Sequence, residues 1–131
     1  MVGKVNLLLV SSRLEMKRKL LRILEGWPLN VYAAGSVEQA DDTLRRHGIN
    51  AVLCDEQLCD GTYHDVLGLT IDKLPKIQFI LLLTVGGSEE YREARRLGVT
   101  EVIHPRFEPT DIELALIHAL RGQTLLAHAA A

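Results

Sequence analysis

The stretch Ala51-Val52-Leu53-Cys54-Asp55-Glu56-Gln57-Leu58-Cys59-Asp60-Gly61 decides how the rest of the chain is read. Four small or apolar residues run straight into an acid, and the turn signal Asp60-Gly61 follows. An apolar run without alternation fits a strand buried on both faces, in the middle of a parallel sheet. Asp55 then lies at its carboxyl end, the edge at which open α/β sheets place their ligands and chemistry. Taken alone, Asp55 equally fits a loop aspartate that caps the next turn, and the rest of the chain has to decide.

Upstream, residues 4–10 read Lys-Val-Asn-Leu-Leu-Leu-Val, interrupted only by Asn6, and predict a first strand ending at Ser11-Ser12. Leu14, Leu20, Leu21, Ile23, Leu24 and Trp27 then recur at helical spacing. Arg13, Lys17, Arg18, Lys19 and Arg22 fill other positions of this amphipathic helix. Ser12 and Glu15 have capping-box spacing, and Gly26 with Pro28 stops the helix. Residues 29–34 predict a second strand, broken by Gly35. Ser36 and Gln39 repeat the capping-box spacing. Val37, Ala40, Asp41 and Leu44 share a face of the second helix, which His47-Gly48 ends.

Downstream of Gly61, residues Val66, Leu67, Leu69, Thr70 and Leu74 predict a third helix stopped by Pro75. Gly68 is a flaw in it of about 1 kcal/mol in helix propensity. Residues 77–85 predict the fourth strand. Residues 88–97 predict a polar fourth helix, with Tyr91, Ala94 and Leu97 on one stripe and Gly98 closing it. Residues 99–103 predict the fifth strand. Thr110 and Glu113 give a further capping box. Ile112, Ala115, Leu116, Ala119 and Leu120 form the apolar face of the fifth helix, and Gly122 is its stop. Five strands alternating with five helices predict a doubly wound α/β domain, because each crossover helix must pack back onto a parallel sheet. The domain is expected over residues 1–121, with the alanine-rich residues 122–131 as a tail or linker stub.

A length of 131 residues suits one domain, and 47% hydrophobic residues can supply its core. With 15 basic and 17 acidic side chains the net charge is -2, which leaves no electrostatic footprint for nucleic acid or an anionic membrane. The apolar runs are too short to span a bilayer, and residues 1–4 lead into a strand without a signal-peptide pattern, so the cytoplasm is the expected compartment. Cys54 and Cys59 lack C-x-x-C spacing and read as small hydrophobes.

On these motifs the chain resembles the receiver domain of two-component response regulators, over residues 4–121. The resemblance is carried by Val52-Leu53-Cys54-Asp55 followed by Leu58, Asp60-Gly61 and Asp65-Val66-Leu67, by the strand ending in Thr84, and by Phe107-Glu108-Pro109. It implies the sheet order 2-1-3-4-5, with strands one and three adjacent at the topological switch point. Helices one and five would lie on one face, helices two, three and four on the other. It further implies Asp55 as the acceptor of a phosphoryl group from a histidine kinase or phosphotransfer protein. Thr84 is the hydroxyl at the end of strand four. Ser11, Ser12, Asp55 and Gln57 fall at the positions that hold a magnesium ion beside the phosphoacceptor.

The chain also departs from that pattern. Ser11 and Ser12 stand where the family has two adjacent acids, and two neutral hydroxyls remove two formal negative charges from a site whose ion wants carboxylate oxygens. Glu56 could lend one oxygen to a weak metal site. An ungapped match places Pro105 at the family's lysine and Arg106 at its proline; a gapped match places His104 there, followed by Pro105. Val102 stands at the family's switch aromatic. Structural roles are open to the same residues: helix cap for Ser12, plain strand end for Ser11 and Thr84.

The expected function is therefore a receiver domain in phosphorelay signalling, without enzymatic activity. Magnesium should bind weakly, and Asp55 should be phosphorylated weakly or not at all. Signalling would then run through binding to a kinase, a phosphotransfer protein or an output domain. A weak homodimer or a heterologous contact is expected through helix four, strand five and helix five, with Arg92, Arg95, Arg96 and Glu101 on its rim. The alternative is a small enzyme or ligand-binding domain of flavodoxin-like architecture. It is disfavoured by the lack of G-x-G-x-x-G after strand one, of a P-loop, and of a readable nucleophile–base pair. Cys59, Asp60, His64 and Asp65 share one loop without metal-ligand spacing and read as solvated side chains. His118 and His128 read as surface or packing residues.

Overall fold

The computed structural model describes residues 4–73 and 77–120. Its elements run β1 (Val5–Val10), α1 (Leu14–Ile23), β2 (Leu29–Ala34), α2 (Val37–Arg46), β3 (Ala51–Asp55), β4 (Gln57–Leu58), β5 (Gly61–Thr62), α3 (Tyr63–Lys73), β6 (Gln78–Leu82), α4 (Ser88–Leu97), β7 (Glu101–Ile103) and α5 (Pro109–Ala119). The large sheet has the order β2-β1-β3-β6-β7, and every pair in it is parallel. Counting its strands alone, this is the expected order 2-1-3-4-5. The extra pair β4–β5 is a two-residue antiparallel hairpin outside that sheet, where only a turn was expected.

The period-2 alternation of a strand sorts the core into two layers. Leu7 and Leu9 of β1, Leu53 of β3, and Ile80 and Leu82 of β6 pack with Leu20 and Leu24 near α1 and with Ile112 and Leu116 of α5. Leu8, Val10, Val52, Cys54, Phe79 and Leu81 face the other way, onto Ala40 and Leu44 of α2, Val66 and Leu67 of α3 and Ala94 of α4. A strand covered on both faces has no polar side to show, which is why β1 and β3 read as unbroken apolar runs. Full burial of each such leucine contributes roughly 1.5–3 kcal/mol. Asn6, the one polar residue of β1, lies at the opposite end of the sheet from Asp55. Its N–H donates to Asn50 Oδ1 at 2.8 Å, its Nδ2 to Gly48 O at 2.8 Å, and its Oδ1 accepts from Asn30 Nδ2 at 3.0 Å.

Several local expectations are corrected. Ser12 does not cap α1: the N-cap is Arg13, without a side-chain capping bond, and Glu15 instead pairs with Arg18 at 3.6 Å. The last helix is capped by Glu108 with Asp111, not by Thr110 with Glu113. Pro109 explains the shift, since proline is well placed in a first helical turn, where its missing N–H costs nothing. Ser36 does cap α2, accepting from Gln39 N at 3.0 Å, while Gln39 Oε1 reaches back to Gly35 N at 2.7 Å. Gly98 ends α4 in the left-handed region, φ 106°, where a Cβ would be strained. The fourth and fifth strands are shorter than expected, so Thr84 and Val85 are exposed loop residues. Leu74, Pro75, Gly122, His128 and the tail lie outside the described residues. No helix among those described is long and apolar enough to cross a membrane.

Candidate functional site

Parallel pairing of β1 with β3 aligns Val10 with Cys54, so the next residues, Ser11 and Asp55, come face to face. Alternation puts both on the side of Leu9 and Leu53, the layer covered by α1. Arg13, at the start of α1, closes that corner. Its Nη2 donates to Asp55 Oδ1 at 2.6 Å and its Nε to Oδ2 at 3.1 Å, while Ser11 Oγ donates to Oδ2 at 2.7 Å. Asp55 is 1% exposed and the Arg13 side chain 49%. The planar guanidinium fork matches a carboxylate edge, and such charge-assisted pairs are stronger than neutral hydrogen bonds.

The electrostatics follow from this contact. Hydrogen bonding to Asp55 holds the Arg13 guanidinium above its already high ordinary value, with burial opposing and the carboxylate charge reinforcing. Burial pushes the Cys54 thiol up, and the neighbouring Asp55 charge adds to the effect. Both cysteines read as small hydrophobes; Cys54 is buried as one, whereas Cys59 is exposed.

Ser11 is fully buried against Asp55 and so is more than a strand end. Ser12 joins two loops: its Oγ donates to Gly35 O at 2.6 Å and accepts the Cys59 N–H at 2.9 Å. In the hairpin loop, Asp60 accepts from Val37 N and Glu38 N, and Asp65 Oδ2 from Thr62 N. Those two acids are exposed, as expected of loop side chains, and each also accepts from backbone N–H groups. Glu56 Oε1 accepts the Thr84 N–H at 2.9 Å. Thr84 and Gln57 are exposed. His104 stacks on Tyr91 at 5.7 Å, Pro105 lies beside Gly86, and Arg106 is exposed with a left-handed φ of 64°. Among the described residues, the hydrogen bonds and ion pairs of the Asp55 carboxylate run to Ser11 and Arg13, and none runs to Thr84, His104 or Arg106.

Sequence reasoning placed Arg13 only on the polar side of α1 and missed it as the partner of Asp55. The contact follows from the β1–β3 register, in which whatever follows Val10 meets whatever follows Cys54, and that register is a property of the folded sheet.

The donor set does not suit the magnesium ion that the resemblance implies. Ser11 and Ser12 are neutral and hydrogen-bonded to the protein, and both oxygens of Asp55 are taken, one by Arg13 alone and one by Arg13 and Ser11. Among the described residues no group of three or more His, Cys, Asp or Glu could hold a metal ion.

No protein-family model and no curated protein matches the chain. Solved structures are similar to it. The non-phosphorylated receiver domain of HemR from Leptospira biflexa shares 24% identity, with a TM-score of 0.80 over 88% of this chain and 94% of that one. The signal receiver domain of an HD domain-containing protein from Pseudomonas fluorescens shares 21%, with a TM-score of 0.83 over 92% and 97%. The chemotaxis response regulator CheY4 of Vibrio cholerae shares 15%, with a TM-score of 0.82 over 90% and 100%. The chain has the receiver fold.

Proposed function

We propose that this receiver fold serves as a signalling domain that acts by binding a protein partner while Asp55 stays unphosphorylated. One observation carries the reading: the two carboxylate oxygens at the phosphoacceptor position are both engaged, by Arg13 and Ser11. Phosphoryl transfer to an aspartate needs a free, in-line oxygen and charge neutralisation on the transferring group. Here the nucleophile is held in an ion pair. Lys-type and metal-type charge is not supplied by Pro105, or by Ser11 and Ser12. Removing a metal ion of this kind costs several kcal/mol of transition-state stabilisation. At about 1.4 kcal/mol per tenfold, transfer slows by orders of magnitude.

The partner is a histidine kinase, a phosphotransfer protein or an output domain. It meets the face of α4, β7 and α5, where Tyr91, Leu97 and Leu114 are exposed. A weak homodimer through the same face is the competing occupant, and sedimentation over a concentration series separates the two.

The decisive experiment is intact mass spectrometry after incubation with magnesium and acetyl phosphate. The expected result is an unmodified chain. Rapid stoichiometric addition of one phosphoryl group, abolished by Asp55→Ala, overturns the reading and restores an ordinary phosphorylated receiver.

A further inference from the structure

We propose that Arg13 is a resident cation that takes the place of a divalent metal at Asp55 and determines that this site excludes such ions. The inference rests on Asp55 being the phosphoacceptor position, and it names the residue that keeps the position closed.

Three features support it. The groups in contact at Asp55 are one carboxylate, one guanidinium and one neutral hydroxyl, so the cluster is already electroneutral. A guanidinium cannot be deprotonated in a protein, so its positive charge persists at every working pH. Second, Arg13 occupies the N-cap of α1 and makes no side-chain capping bond there. Ser, Thr, Asp or Asn is the favoured residue at that position, and an arginine is not chosen for helix stability. Its side chain is turned to Asp55 instead. Third, Ser11 Oγ accepts the Arg13 N–H at 3.2 Å while donating to Asp55, which fixes the backbone of Arg13 at the distance its side chain needs. A divalent ion approaching Asp55 would meet a positive charge in contact with both of its oxygens. Restoring acids at positions 11 and 12 would therefore not by itself make a metal site; the guanidinium must also go.

The test uses manganese as a paramagnetic stand-in for magnesium, with affinity read from water-proton relaxation or calorimetry on the full chain. The proteins are Ser11→Asp/Ser12→Asp with Arg13 retained, and the same pair combined with Arg13→Gln or with Arg13→Lys. Glutamine removes the charge, and lysine keeps it. The expected result is manganese binding at least tenfold tighter with Arg13→Gln than with Arg13 retained, and no such gain with Arg13→Lys. Equal affinity across the three, whether all tight or all undetectable, overturns the proposal, as does an equal gain with lysine. Ser11 is buried, so should its substitution prevent folding, the comparison is made in Ser12→Asp alone, whose site is exposed. These outcomes are independent of the phosphodonor experiment, which reads the unsubstituted chain.

Discussion

Asp60 caps the amino end of α2 across 23 residues of sequence: its Oδ1 accepts the Val37 N–H at 2.8 Å, and its Oδ2 accepts the Glu38 N–H at 3.1 Å. The contact ties the hairpin beyond Asp55 to the β2–α2 corner. Ser12 ties the β1–α1 loop to the same two places, through Gly35 and Cys59. The three loops around Asp55 are thus hydrogen-bonded to one another.

That cap makes stability depend on pH. The Val37 N–H holds the Asp60 carboxyl below its ordinary value of 3.8; desolvation opposes it, and the N–H groups of Glu38 and of Asp60 itself add weaker support. A depressed folded-state value means the stabilisation is fully present above the unfolded value and is lost as pH falls through the folded one. Asp60→Asn should therefore lower the urea midpoint at pH 7, and the gap from the unsubstituted chain should shrink below about pH 4. A gap of the same size at pH 7 and pH 3 would show that the charge on Asp60 contributes nothing.

The Asp55 ion pair should appear as a coupling energy. Arg13→Ala leaves a buried carboxylate with Ser11 alone and should cost about 1–3 kcal/mol. The loss falls short of that for a fully buried pair, because Arg13 is half exposed and water can take its place. Asp55→Asn removes the need for the cation, so the double variant should be more stable than the two single losses imply, by roughly 0.5–3 kcal/mol. Urea unfolding of the four proteins measures this, and strict additivity would mean that the pair does not form in solution.

The two thiols should differ in reactivity. Cys59 is exposed, whereas Cys54 is fully buried, with its thiol pushed up by burial and by the Asp55 charge. Only a thiolate attacks. A chromogenic disulfide reagent should therefore modify one cysteine per folded chain quickly and the second only on unfolding. Mapping the fast adduct to Cys54 would contradict the packing of β3.

Gly68 lies in α3 with open space where a Cβ would stand, and its φ is not in the left-handed region. Gly68→Ala should stabilise the chain by about 0.5–1 kcal/mol through helix propensity and a less flexible unfolded state. For a domain of this size that raises Tm by roughly 2–4 °C. An unchanged or lower Tm would indicate that this face of α3 is covered in solution.

The alternation of strands and helices, the central place of β1 and β3, and Asp55 at a strand's carboxyl end were all legible in the sequence. The elements depend on local rules: unbroken apolar runs for buried strands, period 3.6 for helices, and glycine, proline or a capping serine at an end; the place of β1 beside β3 is what the family resemblance implies. Choices between neighbouring local options were less legible. Thr110 had cap spacing, yet Glu108 is the N-cap, because Pro109 fits the first turn. Ser12 had cap spacing, yet its hydroxyl is used 23 and 47 residues away, at Gly35 and Cys59.

The sequence by itself thus determined the fold and the position of Asp55, the one buried acid among the described residues. Only the tertiary structure decided what that acid touches. Ser11 and Arg13 are 44 and 42 residues from Asp55 along the chain, and their contact is set by the β1–β3 register and by the layer in which α1 packs. Thr84, His104, Pro105 and Arg106 lie in the exposed loops that follow β6 and β7, where the pairing of those strands has ended. Neither determinant is contained in a one-dimensional pattern. Register and packing arise from pairing energies summed over whole strands and layers, whereas a motif records only the order of residues along one of them.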